Sequence, residues 1–279
     1  MELRSVWSLL VAGAVACVAP GRDDGERAEA GLAAEEEPAR VDAAIAADDE
    51  EPELPVPEPV AAATPQMCPP EMVLVEGRYC PDVVHICRRW VDPPGRFHDF
   101  RCAEYAPSVC KSRARKPLRF CIDRDEFTAP GELLPQVNHS WSSAKKACTA
   151  MGKRLCVESE WQFACEGEDM RPYPYGFVRD AGACNIDRGN IMGKKAPVDF
   201  REPAGSHARC VSPFGVRDMS GNIEEWATID GVTAKGQRST MKGAWWLPGR
   251  NHCRARTLGH GEIYFGPQIG VRCCKDVGR

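Results

Sequence analysis

Fifteen cysteines in 279 residues constrain this chain more than any other feature of its sequence. Such heavy use of cysteine is unusual in a reducing cytosol and typical of exported domains that are stabilised by disulfides. Fourteen of the cysteines follow residue 66, an even number that is compatible with seven bridges. We therefore expect a disulfide-rich fold in an oxidising compartment, in which most of the cysteines are structural.

The first seventeen residues have the pattern of an export signal. Arg4 precedes an apolar run over residues 6–16, which ends in the small residues Ala14, Val15 and Ala16 directly before Cys17. A short basic start, a brief apolar stretch and small residues before a cleavage point are typical of a secretory signal peptide.

The cysteine at the end of this run resembles the lipidation site of a bacterial lipoprotein. We expect residues 1–16 to be a lipoprotein signal peptide, after which Cys17 becomes the lipidated first residue. The chain would then be exported and anchored in the bacterial cell envelope, with outer-membrane or cell-surface lipid as its partner. The alternative is an ordinary signal peptide that is cut near Ala16, with Cys17 incidental.

Residues 17–66 differ in composition from everything that follows them. Between residues 18 and 66 there are 14 Asp and Glu against 3 Arg and no aromatic residue, a local charge of −11 in a chain whose net charge is −4. Such a segment cannot bury enough apolar surface to offset the entropy of ordering, and its prolines favour an extended spacer. We expect an acidic, disordered tether, followed by one folded and mildly basic domain over residues 67–279.

Two helices are predicted in the folded domain, at about residues 141–151 and 158–165. Ser140 is a suitable N-cap for the first helix and Gly152 ends it, while Gly167 stops the second. Elsewhere the domain is rich in Gly and Pro, which predicts short strands and long fixed loops. No run of eighteen apolar residues is present in the sequence, so a membrane-spanning helix is not expected.

Three segments of the domain carry motifs whose order and spacing are specific. They are residues 153–164 (KRLCVESEWQFA), residues 214–226 (FGVRDMSGNIEEW), and residues 242–245 (KGAW) followed by 253–256 (CRAR) and 270–272 (GVR). In this order they resemble the formylglycine-generating enzyme (sulfatase-modifying factor) family. Weaker matches at residues 72–77 and 120–128 extend the resemblance over about residues 71–274.

The resemblance implies an α+β fold related to the C-type lectin fold, low in regular secondary structure. One segment departs from the family pattern, because the chain inserts Cys80, Cys87, Cys102 and Cys110 between residues 80 and 116. We expect this Cys-rich insertion to be stapled by disulfides. A purely structural addition is the simpler interpretation, and a lid or partner surface is the alternative.

The family's best-known activity oxidises a cysteine of a sulfatase to formylglycine, using O2 and a Cu(I) ion held by two cysteine thiolates five residues apart. Soft thiolate pairs select Cu(I), so both sulfurs are needed. In this sequence the second position is Cys253, but the first is Pro248, which cannot ligate a metal. A copper site is therefore not expected, although His252 offers a nitrogen beside Cys253.

The simpler role for Cys253 is a structural one. We expect it to form a disulfide with Cys273 or Cys274, which are unsuited to bonding each other because they are adjacent. Cys148 and Cys156 flank the end of the first predicted helix and form another candidate pair. The rest of the connectivity cannot be deduced from the sequence.

Calcium is the cofactor that the resemblance supports better than copper. Members of the family hold structural Ca2+ through side-chain and backbone oxygens, which suit a hard cation. Carried over by motif position, one site consists of Asn185, the carbonyl of Ile186 and Asp199, and the other of Asn222, the carbonyl of Ile223 and Glu225. The alternative is that these residues only cap turns and bond to backbone amides.

Other catalytic classes find no support in the sequence. None of the six histidines has metal-ligand spacing, and there is no Gly-x-Ser-x-Gly elbow, phosphate loop or dinucleotide fingerprint. We therefore expect a monomeric, non-catalytic or divergent binding module for a protein or glycan ligand, not for nucleic acid. The alternative is a copper-dependent formylglycine-generating oxidase that uses Cys253 on a cysteine of a sulfatase-like substrate. By analogy of position, four residues would contact the ligand: Trp245, Trp246, His252 and Tyr264.

Overall fold

The computed structural model describes residues 67–189, 198–233 and 235–278. Within these ranges two α-helices, one short 3-10 helix and eleven short strands are joined by long loops. The signal peptide and the tether predicted for residues 1–66 lie outside the described residues. No helix in the described ranges is long and apolar enough to cross a membrane.

The strands form one four-stranded sheet, one three-stranded sheet and two separate pairs. In chain order they are β1 (Met72–Tyr79), β2 (Val83–Val84), β3 (Cys87–Trp90), β4 (Cys102–Tyr105), β5 (Val109–Cys110), β6 (Lys116–Asp123), β7 (Arg154–Leu155), β8 (Glu224–Thr228), β9 (Ser239–Lys242), β10 (Ile269–Gly270) and β11 (Cys273–Asp276). The four-stranded sheet is antiparallel in the order β1–β6–β11–β7, and β1 pairs with β6 along its whole length. The second sheet has the order β10–β8–β9, with β10 parallel to β8.

Both predicted helices are confirmed, and their ends follow from local capping chemistry. Helix α1 (Trp141–Ala150) begins at Ser140, whose hydroxyl accepts from the backbone N–H of Ser143 at 3.1 Å, while the Ser143 hydroxyl accepts from the Ser140 N–H at 2.8 Å. This reciprocal pair satisfies two N–H groups that a helix start leaves free. Helix α2 (Glu158–Glu166) ends at Gly167, which has a positive φ of 67°.

The two helices pack on the two sheets and define two apolar cores. Helix α2 places Trp161 and Phe163 against Val75, Phe120 and Ile122 of the four-stranded sheet. Helix α1 packs against a second group, which includes Trp226 of β8, Met241 of β9 and Ile269 of β10. The predicted α+β fold, low in regular secondary structure, is confirmed by this arrangement.

The Cys-rich insertion contains the two isolated strand pairs, β2 with β5 and β3 with β4. Each pair is stapled by its own disulfide, Cys80–Cys110 and Cys87–Cys102. The prediction of a stapled excursion is therefore confirmed, and the short 3-10 helix His98–Phe100 forms its turn between β3 and β4.

All fourteen cysteines of the described residues form disulfides, as the even count predicts. The seven bridges are Cys68–Cys121, Cys80–Cys110, Cys87–Cys102, Cys148–Cys273, Cys156–Cys274, Cys165–Cys253 and Cys184–Cys210. The proposed Cys148–Cys156 pair is wrong, and so is the pairing of Cys253 with Cys273 or Cys274. Adjacent residues of a strand point to opposite faces, so Cys273 reaches the core under α1 while Cys274 reaches the core under α2.

Candidate binding groove

The candidate site is a groove along residues 244–257, the segment that leaves β9 and that contains the two copper positions of the resembled family. Two successive residues with positive φ, Gly243 (83°) and Ala244 (56°), turn the chain out of the strand. The cavity at its centre has a volume of about 150 Å3. Its lining includes Phe100, Glu224, Trp245, Leu247, Pro248, Arg250, Arg256 and Thr257.

The Cys-rich insertion supplies one wall of this groove. Phe100, at the end of the 3-10 helix, lines the cavity, and the guanidinium of Arg250 lies 4.9 Å from the centre of its ring. Arg254 fixes the base of the insertion, because its Nη1 donates to the carbonyl of Pro81 at 3.0 Å and its Nη2 to that of Cys80. The insertion is therefore part of the site.

A buried carboxyl group lies on the inner wall of the groove. Glu224, the first residue of β8, is only 6% exposed and accepts a hydrogen bond from the Thr257 hydroxyl at 2.8 Å. Burial raises the pKa of Glu224, because the charged form loses its hydration. Glu224 therefore holds a proton more readily than an exposed carboxyl does, and a protonated carboxyl can donate a hydrogen bond as well as accept one.

The rim of the groove is cationic. Arg250 and Arg256 are exposed at its edge, and Arg256 Nη1 lies 3.3 Å from Glu158. Glu158 is shared with the buried Lys242, whose Nζ lies 3.5 Å away and whose pKa burial lowers to about 8. The single carboxylate of Glu158 therefore faces two cations, Lys242 and Arg256. It does not neutralise both of them, so the rim keeps a positive charge.

Cys253 does not face the groove as a thiol. Its sulfur is bonded to Cys165 of α2, the residue is completely buried, and its backbone N–H donates to the carbonyl of Pro172 at 2.7 Å. A catalytic or copper-binding role for Cys253 requires a thiolate, and the bridge leaves none. Pro248 stands in the groove wall at the other copper position.

His252 points away from the groove, towards the insertion. Its ring centre lies 6.2 Å from that of His85 and 6.4 Å from that of Tyr105, and its Nδ1 is buried without a hydrogen-bond partner. Burial lowers the pKa of His252 to about 3 and that of His85 to about 4, so both imidazoles are neutral at pH 7. The pair belongs to the contact between the insertion and the core.

Of the four ligand contacts predicted from position, only Trp245 lines the groove. Trp246 is 1% exposed and packs edge-on against Trp245, with ring centres 5.0 Å apart, so it supports the groove from below. Tyr264 lies in another loop, where its ring stacks on His260 at 3.9 Å. His252 lies at the start of a turn, in which the N–H of Ala255 donates to its carbonyl at 2.9 Å, and this turn directs its ring behind the groove.

Sequence reasoning missed Phe100, Glu224, Arg250 and Arg256. Phe100 belongs to the Cys-rich insertion and lies outside the motifs that identified the family, so no motif points to it. Glu224 carried a usable signal, because it is an acidic residue inside the apolar-flanked motif of residues 214–226. A carboxyl group at a buried strand position is a candidate site residue.

The residues of the first predicted calcium site are held by arginines. Asn185 Oδ1 accepts from Arg188 Nε at 2.7 Å, and the Asp199 carboxylate is bound by Arg201 with contacts of 2.7 to 3.2 Å. Ile186 is buried in the core next to the Cys184–Cys210 bridge. The side-chain oxygens of the set are therefore engaged by guanidinium groups.

The second predicted calcium site has the same character. Both oxygens of Glu225 accept from the buried guanidinium of Arg272, at 2.7 to 3.0 Å, and one also accepts from Trp161 Nε1 at 2.6 Å. Asn222 Oδ1 accepts from Asn185 Nδ2 at 2.9 Å, and the Ile223 N–H donates to Glu126 at 3.2 Å. As placed, these donors do not fit a calcium ligand set, and calcium stays a prediction from the resemblance.

Comparison with known proteins places the domain in a family. The family described as "Sulfatase-modifying factor enzyme 1-like domain" matches residues 100–277. The chain is similar to the "Inactive C-alpha-formylglycine-generating enzyme 2" of Bos taurus, with 30% identity over 155 residues, 52% of each chain. It is also similar to the "Formylglycine-generating enzyme" of Thermomonospora curvata, with 33% identity over 97 residues, 33% of this chain and 32% of that one.

The chain spans about half the length of the first of these relatives. Among solved structures, that of CarF is similar in fold, with a TM-score of 0.50 and 16% sequence identity, and the match covers 75% of this chain and 99% of that chain. The matched family region includes α1, α2, the groove segment and most of both sheets. By its family match, its fold and its motifs, this chain belongs to the sulfatase-modifying factor enzyme 1-like domain family.

Proposed function

We propose that this chain is an exported, membrane-anchored binding module whose formylglycine-generating-enzyme-like domain does not perform copper-dependent oxidation. The observation that carries the proposal is the Cys165–Cys253 bridge, together with Pro248 at the other copper position. A Cu(I) site needs soft thiolate ligands, and neither position offers one. Similarity to a relative that is named inactive supports the same conclusion.

Export and anchoring rest on separate grounds. Seven disulfides favour an oxidising compartment outside the cytoplasm. The lipid anchor rests on the sequence pattern around Cys17 alone. A Cys17→Ser variant tests it: the variant should no longer incorporate labelled palmitate and should leave the membrane fraction, and continued labelling would refute the anchor.

The groove supports a ligand that carries an anionic group. Arg250 and Arg256 are exposed at the rim, and Trp245 and Phe100 offer flat apolar walls. Burial raises the pKa of Glu224, which disfavours a negative charge in the cavity. An acidic peptide and a sulfated or carboxylated glycan share the chemistry that these groups recognise.

Loss of copper chemistry is tested on the purified full chain. We expect no stoichiometric Cu(I) binding in competition with a chelator, and no conversion of a cysteine-containing sulfatase peptide under O2. The matched variant Cys165→Ala/Pro248→Cys removes the bridge and restores a thiol at each family position, and we expect it to bind Cu(I) more tightly than the wild type. Copper binding and peptide conversion by the wild type would overturn the proposal.

Ligand binding is tested with two defined probes, a synthetic Glu-rich peptide and a heparin-derived oligosaccharide. We expect one of them to bind, with an affinity that falls as salt is added. The Arg250→Ala/Arg256→Ala variant should lose that binding, whereas Arg113→Ala, a basic residue outside the groove lining, should keep it. Which probe binds distinguishes a protein ligand from a glycan. Binding of neither would contradict an anionic ligand.

A further inference from the structure

A loop outside the groove, residues 261–267, carries three consecutive large side chains whose exposure the fold does not explain. Ile263 is 83% exposed, Phe265 63% and Tyr264 38%. Scattered apolar residues on a surface are ordinary, but three adjacent ones at the tip of one loop form a contact surface. We call residues 261–267 the apolar loop.

The apolar loop is held firmly at its base. The N–H of Ser142 in α1 donates to the carbonyl of Glu262 at 3.0 Å, and the N–H of Asn138 donates to that of Gly266 at the same distance. Inside the loop, the N–H of Tyr264 closes a turn onto Gly261, also at 3.0 Å. The apolar tip is therefore presented in a fixed position, with little ordering left to do on binding.

Basic side chains surround the base of the apolar loop. Arg238 pairs with Glu262, the only acidic residue of the loop, at 3.0 Å, and its guanidinium lies 5.4 Å from the ring centre of Trp141. The ammonium of Lys145 lies over the same ring, at 5.3 Å. Lys146, the next residue of α1, is exposed as well. The surface next to the apolar tip is thus cationic.

We propose that the apolar loop is a membrane-contact site, which inserts its Ile263, Tyr264 and Phe265 side chains into the interfacial layer of an anionic bilayer. Aromatic and aliphatic side chains on a rigid support partition into this layer, and neighbouring cations are attracted to anionic headgroups. A stable protein–protein interface buries about 800 Å2 on each partner, far more than three side chains supply. The small apolar tip and the basic side chains around its base therefore match an anionic lipid surface in both size and charge.

The proposal does not depend on the groove or on its ligand. Contact through the apolar loop would orient the domain on the membrane, whereas an acyl chain at Cys17 would only keep it nearby. Since the acyl chain would mask a weak contact, the test uses the full chain with Cys17→Ser in every arm.

Binding is measured by co-sedimentation with vesicles of phosphatidylcholine alone and of phosphatidylcholine mixed with phosphatidylglycerol. We expect binding to the anionic vesicles and a loss of about tenfold or more in Ile263→Ser/Phe265→Ser. Lys145→Gln/Lys146→Gln should weaken binding to the anionic vesicles and reduce its salt dependence. The matched control is Ile86→Ser/Val178→Ser, two residues that are 53% and 55% exposed outside the loop, and it should bind like the parent.

Circular dichroism and the melting temperature establish that each variant is folded. Failure of the parent to bind anionic vesicles would overturn the proposal, and so would undiminished binding by Ile263→Ser/Phe265→Ser. Light scattering tests the alternative that a second copy of the chain covers the apolar loop. If the parent is a dimer and the same double variant is a monomer, the apolar loop is a dimer contact and membrane contact is refuted.

Discussion

Cys253 is bonded to Cys165, a residue of α2 that lies 88 positions earlier in the chain. The bridge joins the groove segment to the helix beneath it, and both residues are completely buried in the same core. The resembled oxidase needs a reactive thiolate at the position of Cys253. In this chain the same position forms a structural cross-link. Stability, and not redox chemistry, is what its removal should affect.

The first prediction concerns that link. Cys165→Ala/Cys253→Ala opens a loop of 88 residues, so its loss of unfolding free energy should be about 4–5 kcal/mol by the chain-entropy estimate. Cys87→Ala/Cys102→Ala opens a loop of only 15 residues in the insertion and should lose about 3 kcal/mol. Chemical denaturation followed by circular dichroism compares the two variants. A smaller loss for the Cys165 pair would contradict a structural role.

Stability should also depend on the buried ion pair between Arg272 and Glu225. Both side chains are almost completely inaccessible, and the guanidinium also donates to the carbonyls of Asp123 and Arg217 at 3.0 and 2.8 Å. Arg272→Met leaves a buried carboxylate without its partner, and we expect it to lose about 3–5 kcal/mol of unfolding free energy.

The control for this second prediction is Arg238→Met, which breaks an exposed pair with Glu262. Exposed pairs contribute little because water screens them, so the loss of unfolding free energy should be much smaller than that of Arg272→Met. Denaturant titrations at one pH and ionic strength measure both variants. Equal losses would mean that burial does not determine the contribution of these pairs.

Local signals in the sequence were enough to predict the helices and the fold. Ser140 and Gly167 mark helix ends through chemistry that acts within a few residues of the chain, and the motifs around Trp161 and Trp226 identify a family whose frame is shared. Nothing in these signals required knowledge of distant contacts.

The disulfide pairing and the groove walls could not be predicted in the same way. Cys273 and Cys274 are adjacent in the sequence but enter different cores, and Cys165 reaches Cys253 only because α2 lies under the groove. Phe100 reaches the groove because a stapled insertion folds back onto it. Such contacts depend on how distant elements pack, which residue spacing does not record.

The third prediction concerns how the free energy of unfolding decreases as the pH falls below neutrality. The pKa of His252 falls from its ordinary 6.5 to about 3 in the folded state, because burial disfavours the cation. Below pH 6.5 the unfolded chain therefore binds a proton that the folded chain does not, and stability is lost as the pH falls. For this one group, the loss approaches about 1.4 kcal/mol per pH unit.

Replacing His252 by Gln should remove that contribution, so the difference in unfolding free energy between wild type and variant should change steadily between pH 6.5 and pH 4. Taking the difference cancels the carboxyl groups that titrate in the same range. His260→Gln, in another loop where the ring stacks on Tyr264, is measured alongside as a second His-to-Gln exchange. An unaltered slope in His252→Gln would mean that this imidazole is protonated in the folded state.

The last prediction concerns calcium binding. The resemblance to the family predicts a calcium site, whereas the hydrogen bonds around the candidate ligands argue against one. Arg188 donates to Asn185 at 2.7 Å, and Arg201 binds the Asp199 carboxylate. A calcium ion needs several oxygen ligands directed at one point, and these oxygens already accept hydrogen bonds from guanidinium groups. We expect the melting temperature of the full chain to be the same in excess calcium and in a calcium chelator.

The Arg188→Gln/Arg201→Gln variant provides the contrast, since it frees the oxygens and should gain a calcium-dependent increase in melting temperature. An increase in the wild type would show that the ion displaces both arginines and that the site inferred from the motifs is real.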